Sequence, residues 1–163
     1  MLSPELQQAI SGLRIDDIYL EKVSAEVFDR GLDIKSSNCN IAYKFGVGSF
    51  EVMDKEDRKV VCFRFDAGLR WTTKATNESS TKEKAEKGRR LLAHVEGELV
   101  AWYAMKEPLS EEILREFALK NCGIHVWPYW REFVTSTCDR LRIPRVTLPI
   151  VQFQTVEHEQ DEG

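Results

Sequence analysis

Three side chains in the C-terminal third have the chemistry to hold a metal: Cys122, His125 and Cys138, with Cys122-x-x-His125 as a local pair. Zinc favours four ligands, usually with a second close pair, and that pair is missing here. The favoured reading is that these thiols, with Cys39 and Cys62, are reduced and serve as small core hydrophobes. Four scattered cysteines are also too few to staple a secreted module. His94, Glu96 and Glu98 recur at every second residue, so a strand would carry them on one face, where they offer groups for acid–base work. Strand-mates on a solvated face are more often only that. The chain has no phosphate-binding loop and no nucleophile elbow. The sequence therefore points to a non-enzyme with no catalytic residue, metal or cofactor.

With 163 residues, 42% of them hydrophobic and 31% charged, the chain has the size of one soluble domain, spanning 1–163. A net charge of −4 without a dominant Lys/Arg cluster argues against neutralising nucleic-acid phosphates. No apolar run approaches the ~20 residues that cross a bilayer. The first residues, Met1 to Leu6, lack the basic-then-apolar order of a secretory leader. The expectation is a cytoplasmic protein whose partner is neither membrane nor nucleic acid.

Hydrophobic periodicity supplies the elements. Residues 1–12 read as a loosely held arm with a short helix: Ser3 is the N-cap, Pro4 the first helical residue, and Gly12 the end. A strand from Arg14 to Phe28 changes apolar phase between Leu20 and Val23, as a bulge or strong bend requires, and so is expected to serve two faces. Residues 29–38 carry Leu32 and Ile34 among turn formers and read as a crossover connection. A second strand, Cys39 to Met53, is kinked near Gly46 and Gly48. After the polar turn 54–58 comes the clearest alternation, with Val61, Phe63, Phe65, Ala67, Leu69 and Trp71 on one face. Asn77 to Gly88 is polar, and Leu91 to Met105 forms the fourth strand. Ser110 caps a helix whose stripe is Ile113, Leu114, Phe117 and Ala118 and whose stop is Gly123. Pro128 then starts a second helix with Trp130, Phe133, Val134, Cys138 and Leu141 on one face. Ile143, Val146, Leu148 and Ile150 follow between Pro144 and Pro149, an extended apolar strap, and 154–163 is a polar tail. The sum is an α+β fold: a four-stranded antiparallel sheet with C-terminal helices packed on one face. Two helices cannot cover strands about 50 Å long, so self-association is expected.

The segment Trp127-Pro-Tyr-x-Arg-Glu, followed by Leu141-x-Ile-Pro-x-x-x-Leu-Pro, resembles the SecB family of protein-export chaperones. Arg14-Ile15-x-x-Ile18-Tyr19 is similar to that family's first strand, and the likeness covers about Arg14 to Phe153. The resemblance implies a SecB-like fold, a homotetramer built as a dimer of dimers, and a chaperone that holds unfolded polypeptide in long apolar grooves. Such a holdase needs adaptable apolar surface rather than a shaped pocket. The expected client-binding residues are Leu32, Ile34, Tyr43, Phe45, Trp127, Leu141, Ile143, Val146 and Leu148. Pro128, Tyr129, Arg131, Glu132, Pro144 and Pro149 carry the motif in structural roles, with Arg131 and Glu132 expected to cap the helix or pair across an interface.

Departures from the export members narrow the function. Their acidic outer sheet face docks the SecA motor, whereas this chain has Lys22 and His94 at two of those positions and keeps only Glu26. The tail after Phe153 is too polar for a further amphipathic helix. Both features resemble the SecB-like chaperones of toxin–antitoxin systems, which bind a C-terminal segment of an aggregation-prone antitoxin. The expectation is a dedicated chaperone of that kind. General export through SecA and a scaffold without holdase activity are the alternatives.

Overall fold

A computed structural model describes residues 2–31, 34, 39–74 and 88–148. Four strands, β1 (Leu13–Val27), β2 (Cys39–Lys55), β3 (Arg58–Thr73) and β4 (Leu91–Met105), form one antiparallel sheet in the order β1-β4-β3-β2. β1 and β2 thus stand at opposite edges, the topology a crossover connection produces. Strand β1 carries bulges between Ile15 and Asp17 and between Leu20 and Lys22, and β2 carries one between Val47 and Ser49. These are the points where the sequence changes phase. Each bulge inserts one residue and so keeps the apolar set on one side of the sheet. The β2–β3 hairpin closes through Glu56 and Asp57, both at positive φ, between the paired Lys55 and Arg58.

Helix α1 (Pro4–Gly12) precedes the sheet. The Ser3 hydroxyl accepts from the Leu6 N–H and donates to Glu116, while Leu6 and Ala9 are buried and Gly12 abuts Leu109. The N-terminal segment is therefore docked on the helical layer, not loosely held. The apolar side of α1 is short, yet it meets an equally short apolar edge of the next helix, and that was not legible from local pattern.

The C-terminal helical region also departs from expectation. Helix α2 (Glu111–Phe117), capped by Ser110, passes through a π-helical turn (Ala118–Cys122) directly into α3 (Gly123–Leu141). Gly123 is right-handed helical and stops nothing, and Pro128 lies inside α3 instead of starting it. Arg131 and Glu132 consequently sit mid-helix and have no terminus to cap. The reason is burial: Leu114, Phe117, Ala118, Cys122, Val126, Trp127, Trp130, Val134 and Cys138 form one continuous stripe in the core. The π turn resets its phase by one residue. Pro128 and Ile124, the residue whose carbonyl loses its bond to the missing N–H, are both exposed, so the lost bond sits on the solvent side of the helix.

The buried side of the sheet is the one toward the helices, where Phe63 meets Phe117 and Tyr103 in tilted and edge-on contacts. The outer face is not uniformly wet, because Val60, Cys62 and Val100 are buried there. Their cross-strand neighbours Trp102 and Tyr19 are bonded through the indole N–H at 3.2 Å. All four cysteines are free thiols.

Candidate polypeptide-binding groove

The sheet pairs each apolar residue of β2 with one of β3 on the helical side: Ile41 with Trp71, Tyr43 with Leu69, Phe45 with Ala67 and Val47 with Phe65. Beyond the bulge at Gly48 the series resumes with Phe50 opposite Phe63 and Val52 opposite Val61. Every β3 partner is buried. Their β2 counterparts are not: Ile41 is 42% exposed, Tyr43 65% and Val52 42%, with Phe45, Val47 and Phe50 half-buried. Helix α3 lies over β1 and β4, and the π turn approaches β2. An apolar edge about 12 residues long, or roughly 40 Å, is thus left partly open.

Its two ends differ. At the first, Phe45 meets Trp127 edge-on at 4.8 Å and Phe65 at 5.5 Å. Trp127, Ile34, Ile143 and Leu148 are buried, and Leu141 and Val146 are half-buried against the same core. Of the residues expected to bind a client, Tyr43 is the openly exposed one, while Leu32 lies outside the described residues, as does Pro149 among the motif residues. Pro144, Arg131, Glu132 and Tyr129 are exposed.

At the second end, a cleft of about 840 Å³ opens between β2 and α2, walled by Val47, Phe50 and Val52 on one side and Leu109, Leu114 and Leu119 on the other. Leu119 is 58% exposed. Sequence reasoning placed Phe50 and Val52 on a strand but not in a site. The signal was there in the glycine-marked phase change, which keeps them on the same side as Phe45; the opposing wall needs the π turn.

A buried polar cluster joins β4, level with the second end, to the π turn and the start of α3. The Tyr103 hydroxyl sits 2.8 Å from His125 Nδ1 and 3.4 Å from Cys122 Sγ. Burial raises the Tyr103 pKa, pushes the Cys122 thiol up to about 12 and lowers His125 from 6.5. Which of the two groups donates follows the imidazole tautomer. Cys122 and His125 thus share a tyrosine, and among the described residues no three His, Cys, Asp or Glu side chains converge as a metal set.

The outer face binds its own charges. Glu98 takes Lys22 at 3.5 Å and Arg64, which also engages Glu21, and Glu96 holds Arg70 at 2.7 Å. The Arg70 hydrogen bond holds the Glu96 carboxyl below its usual range. His94 bonds Ser24 at 2.8 Å and stacks obliquely on Phe28. These three residues share a face, as their spacing requires, but each has a separate partner. No described helix is long and apolar enough to cross a membrane.

No family model and no curated protein matches the sequence. Among solved structures, the chain is similar to the Mycobacterium tuberculosis SecB-like chaperone Rv1957, solved in complex with a ChAD peptide from the Rv1956 HigA1 antitoxin. The TM-score is 0.66 over 91% of this chain and 94% of that one, at 20% identity. The fold is SecB-like. Similarity to a protein of unknown function from Streptococcus agalactiae, with a TM-score of 0.31 and 14% identity, carries no weight. Within the SecB-like fold, the partly open row of β2 lies on the helical side of the sheet, and the ion-paired outer face lies on the opposite side.

Proposed function

We propose that this protein is an ATP-independent holdase that binds extended apolar segments of unfolded or aggregation-prone polypeptide along β2. The observation that carries this reading is the half-exposed row from Ile41 to Val52, set over a buried row on β3 and continuous with the cleft. An apolar strip this long, bordered by a strand edge that no described segment pairs, suits a chain without fixed shape better than a folded partner. Client release needs no nucleotide, because binding is reversible burial of apolar surface.

The dedicated client is an antitoxin of a toxin–antitoxin system. Supporting this, the structurally similar Mycobacterium chaperone was solved with an antitoxin peptide, and the acids of the outer face are engaged by Lys22, Arg64 and Arg70 of the same chain. A face so neutralised has little field left for docking a basic motor domain. The working assembly is a cytoplasmic homotetramer, a dimer of dimers, and the single domain spans the whole chain.

The test is suppression of aggregation of a chemically unfolded protein at stoichiometric ratio with no ATP present. Lack of suppression sinks the holdase reading. Co-purification with an antitoxin encoded beside the gene supports the dedicated role, and co-purification with secretory precursors instead overturns it in favour of export.

A further inference from the structure

The cleft at the second end takes one wall from a π turn, a register that helices adopt rarely and in single turns. Ala118 and Leu119 at the start of this turn line the cleft, with Leu119 exposed, while Cys122 at its end is fully buried. Continuing as an ordinary α-helix would rotate all that follows by about 100° against α2. The register of this one turn therefore decides what faces β2. Burial of the apolar stripe favours the π register, but apolar contacts are non-directional and leave the exact seat of the turn soft. Directional contacts come from the sheet. Tyr103 lies on β4, an inner strand held between β1 and β3, and its ring packs edge-on against Phe63 at 5.6 Å and Phe117 at 5.2 Å. Phe63 in turn meets Phe50, in the lining of the cleft, at 5.5 Å. From that fixed ring the hydroxyl reaches 3.4 Å to Cys122 Sγ and 2.8 Å to His125 Nδ1, at the end of the π turn and just beyond it.

We infer that Tyr103 and His125 are positioning residues of the cleft: the Tyr103 hydroxyl, anchored in the sheet, tethers the π turn through His125 and Cys122 and so holds Leu119 opposite Phe50 and Val52. Neither Tyr103 nor His125 lines the cleft, so each acts on a bound polypeptide only through the wall it holds. The inference deepens the holdase reading and rests on it for what fills the cleft. A well-packed apolar pair would stabilise the same spot as well as a buried polar one. What the hydroxyl adds is a single defined geometry. Tyr103 is 1% exposed, so losing its partners leaves a buried polar group unsatisfied and penalises any other seat of the turn. Without the tether the ring packing persists, but the wall is free to settle at spacings where its contacts with a bound chain are poorer.

The experiment uses the full chain and reads two quantities: hydrogen exchange of amides 118–125 without client, and affinity for a reduced, carboxymethylated, permanently unfolded protein. Tyr103→Phe deletes the hydroxyl and keeps the ring; it is expected to speed exchange and to weaken client binding, each about fivefold. His125→Leu should do the same. His125→Asn, whose amide offers a donor or an acceptor near the place of Nδ1, should restore both values. The decisive readout is a pair of double-mutant cycles, which a merely structural role would leave multiplicative. Tyr103→Phe added to Leu119→Asp should cost no further affinity, because the wall it positions is already lost. Added to Tyr43→Ser at the other end of the groove, its loss should multiply. Losses that multiply in both cycles overturn the tether, as does unchanged exchange or unchanged affinity in both Tyr103→Phe and His125→Leu. Should Tyr103→Phe fail to fold, the His125 variants decide, with His125→Leu taking its place in the cycles. A wild type that binds no unfolded client ends the holdase reading, whereas a wild type that binds, with tether variants that bind equally well, ends the tether alone.

Discussion

The two ends of the β2 groove use the same strand and opposite solutions. At the end nearer Ile41 the chain supplies its own cover, with Trp127 buried edge-on against Phe45. At the α2 end nothing described covers Val52 or Leu119, and a cleft of about 840 Å³ remains. Hydrophobicity does not separate these ends, since both are lined by large apolar residues. What separates them is whether a helix side chain closes over β2, as Trp127 of α3 does on Phe45, or leaves the neighbouring face bare, as beside the exposed Leu119.

Substitutions can break that contrast, and the largest effect belongs to the closed end. Trp127→Ala removes a buried indole packed on Phe45 and should cost about 3–5 kcal/mol of stability in urea unfolding; a loss under about 1 kcal/mol would mean that the two ends are equally open. Leu148→Ala deletes a buried strap side chain and is expected to cost about 2–3 kcal/mol by the same measurement. At the open end, Leu119→Asp should change stability within about 0.5 kcal/mol and yet lower affinity for an unfolded client about tenfold. A variant that unfolds instead places Leu119 in the core. Arg142→Gly relieves the left-handed residue that starts the strap and should stabilise the fold by about 0.5–1 kcal/mol, seen as a higher Tm.

The smallest effect concerns the α2 end, where His125 Nδ1 lies 2.8 Å from the Tyr103 hydroxyl beside the π turn. Burial lowers its pKa below the unfolded value of 6.5, so the unfolded chain binds the proton more readily. Its contribution is therefore fully present above about pH 6.5 and declines as pH falls below that value. Comparing Tm from pH 8 to 5 for the wild type and His125→Gln should show the wild type losing ground on the acid side. Parallel curves would remove His125 from any role in acid sensitivity.

Most of the fold could be read from local pattern. Period-two alternation placed β3 and β4 and their buried face, and the phase change near Leu20 and the kink expected near Gly48 fall where the pairing register shifts. The Trp130, Phe133, Val134, Cys138 and Leu141 stripe lies on one face of α3, toward the core. Local signals failed where burial competed with them. Gly123 and Pro128 are ordinary helix punctuation, yet the stripe from Leu114 to Cys138 buries enough apolar surface to carry the helix through both. Docking of α1 on α2 and the Arg142 turn were likewise invisible, since one depends on a partner distant in sequence and the other uses arginine where glycine is the usual sign.

The candidate site divides in the same way. Residue type and order alone determined that β2, α3 and the strap carry regularly placed apolar residues, because periodicity is a local property and needs no partner. Only the tertiary structure decided which of those residues face solvent. Exposure depends on what other segments leave uncovered: it left Tyr43 and Val52 open, sealed Ile143 and Leu148, and revealed the wall formed by Leu119.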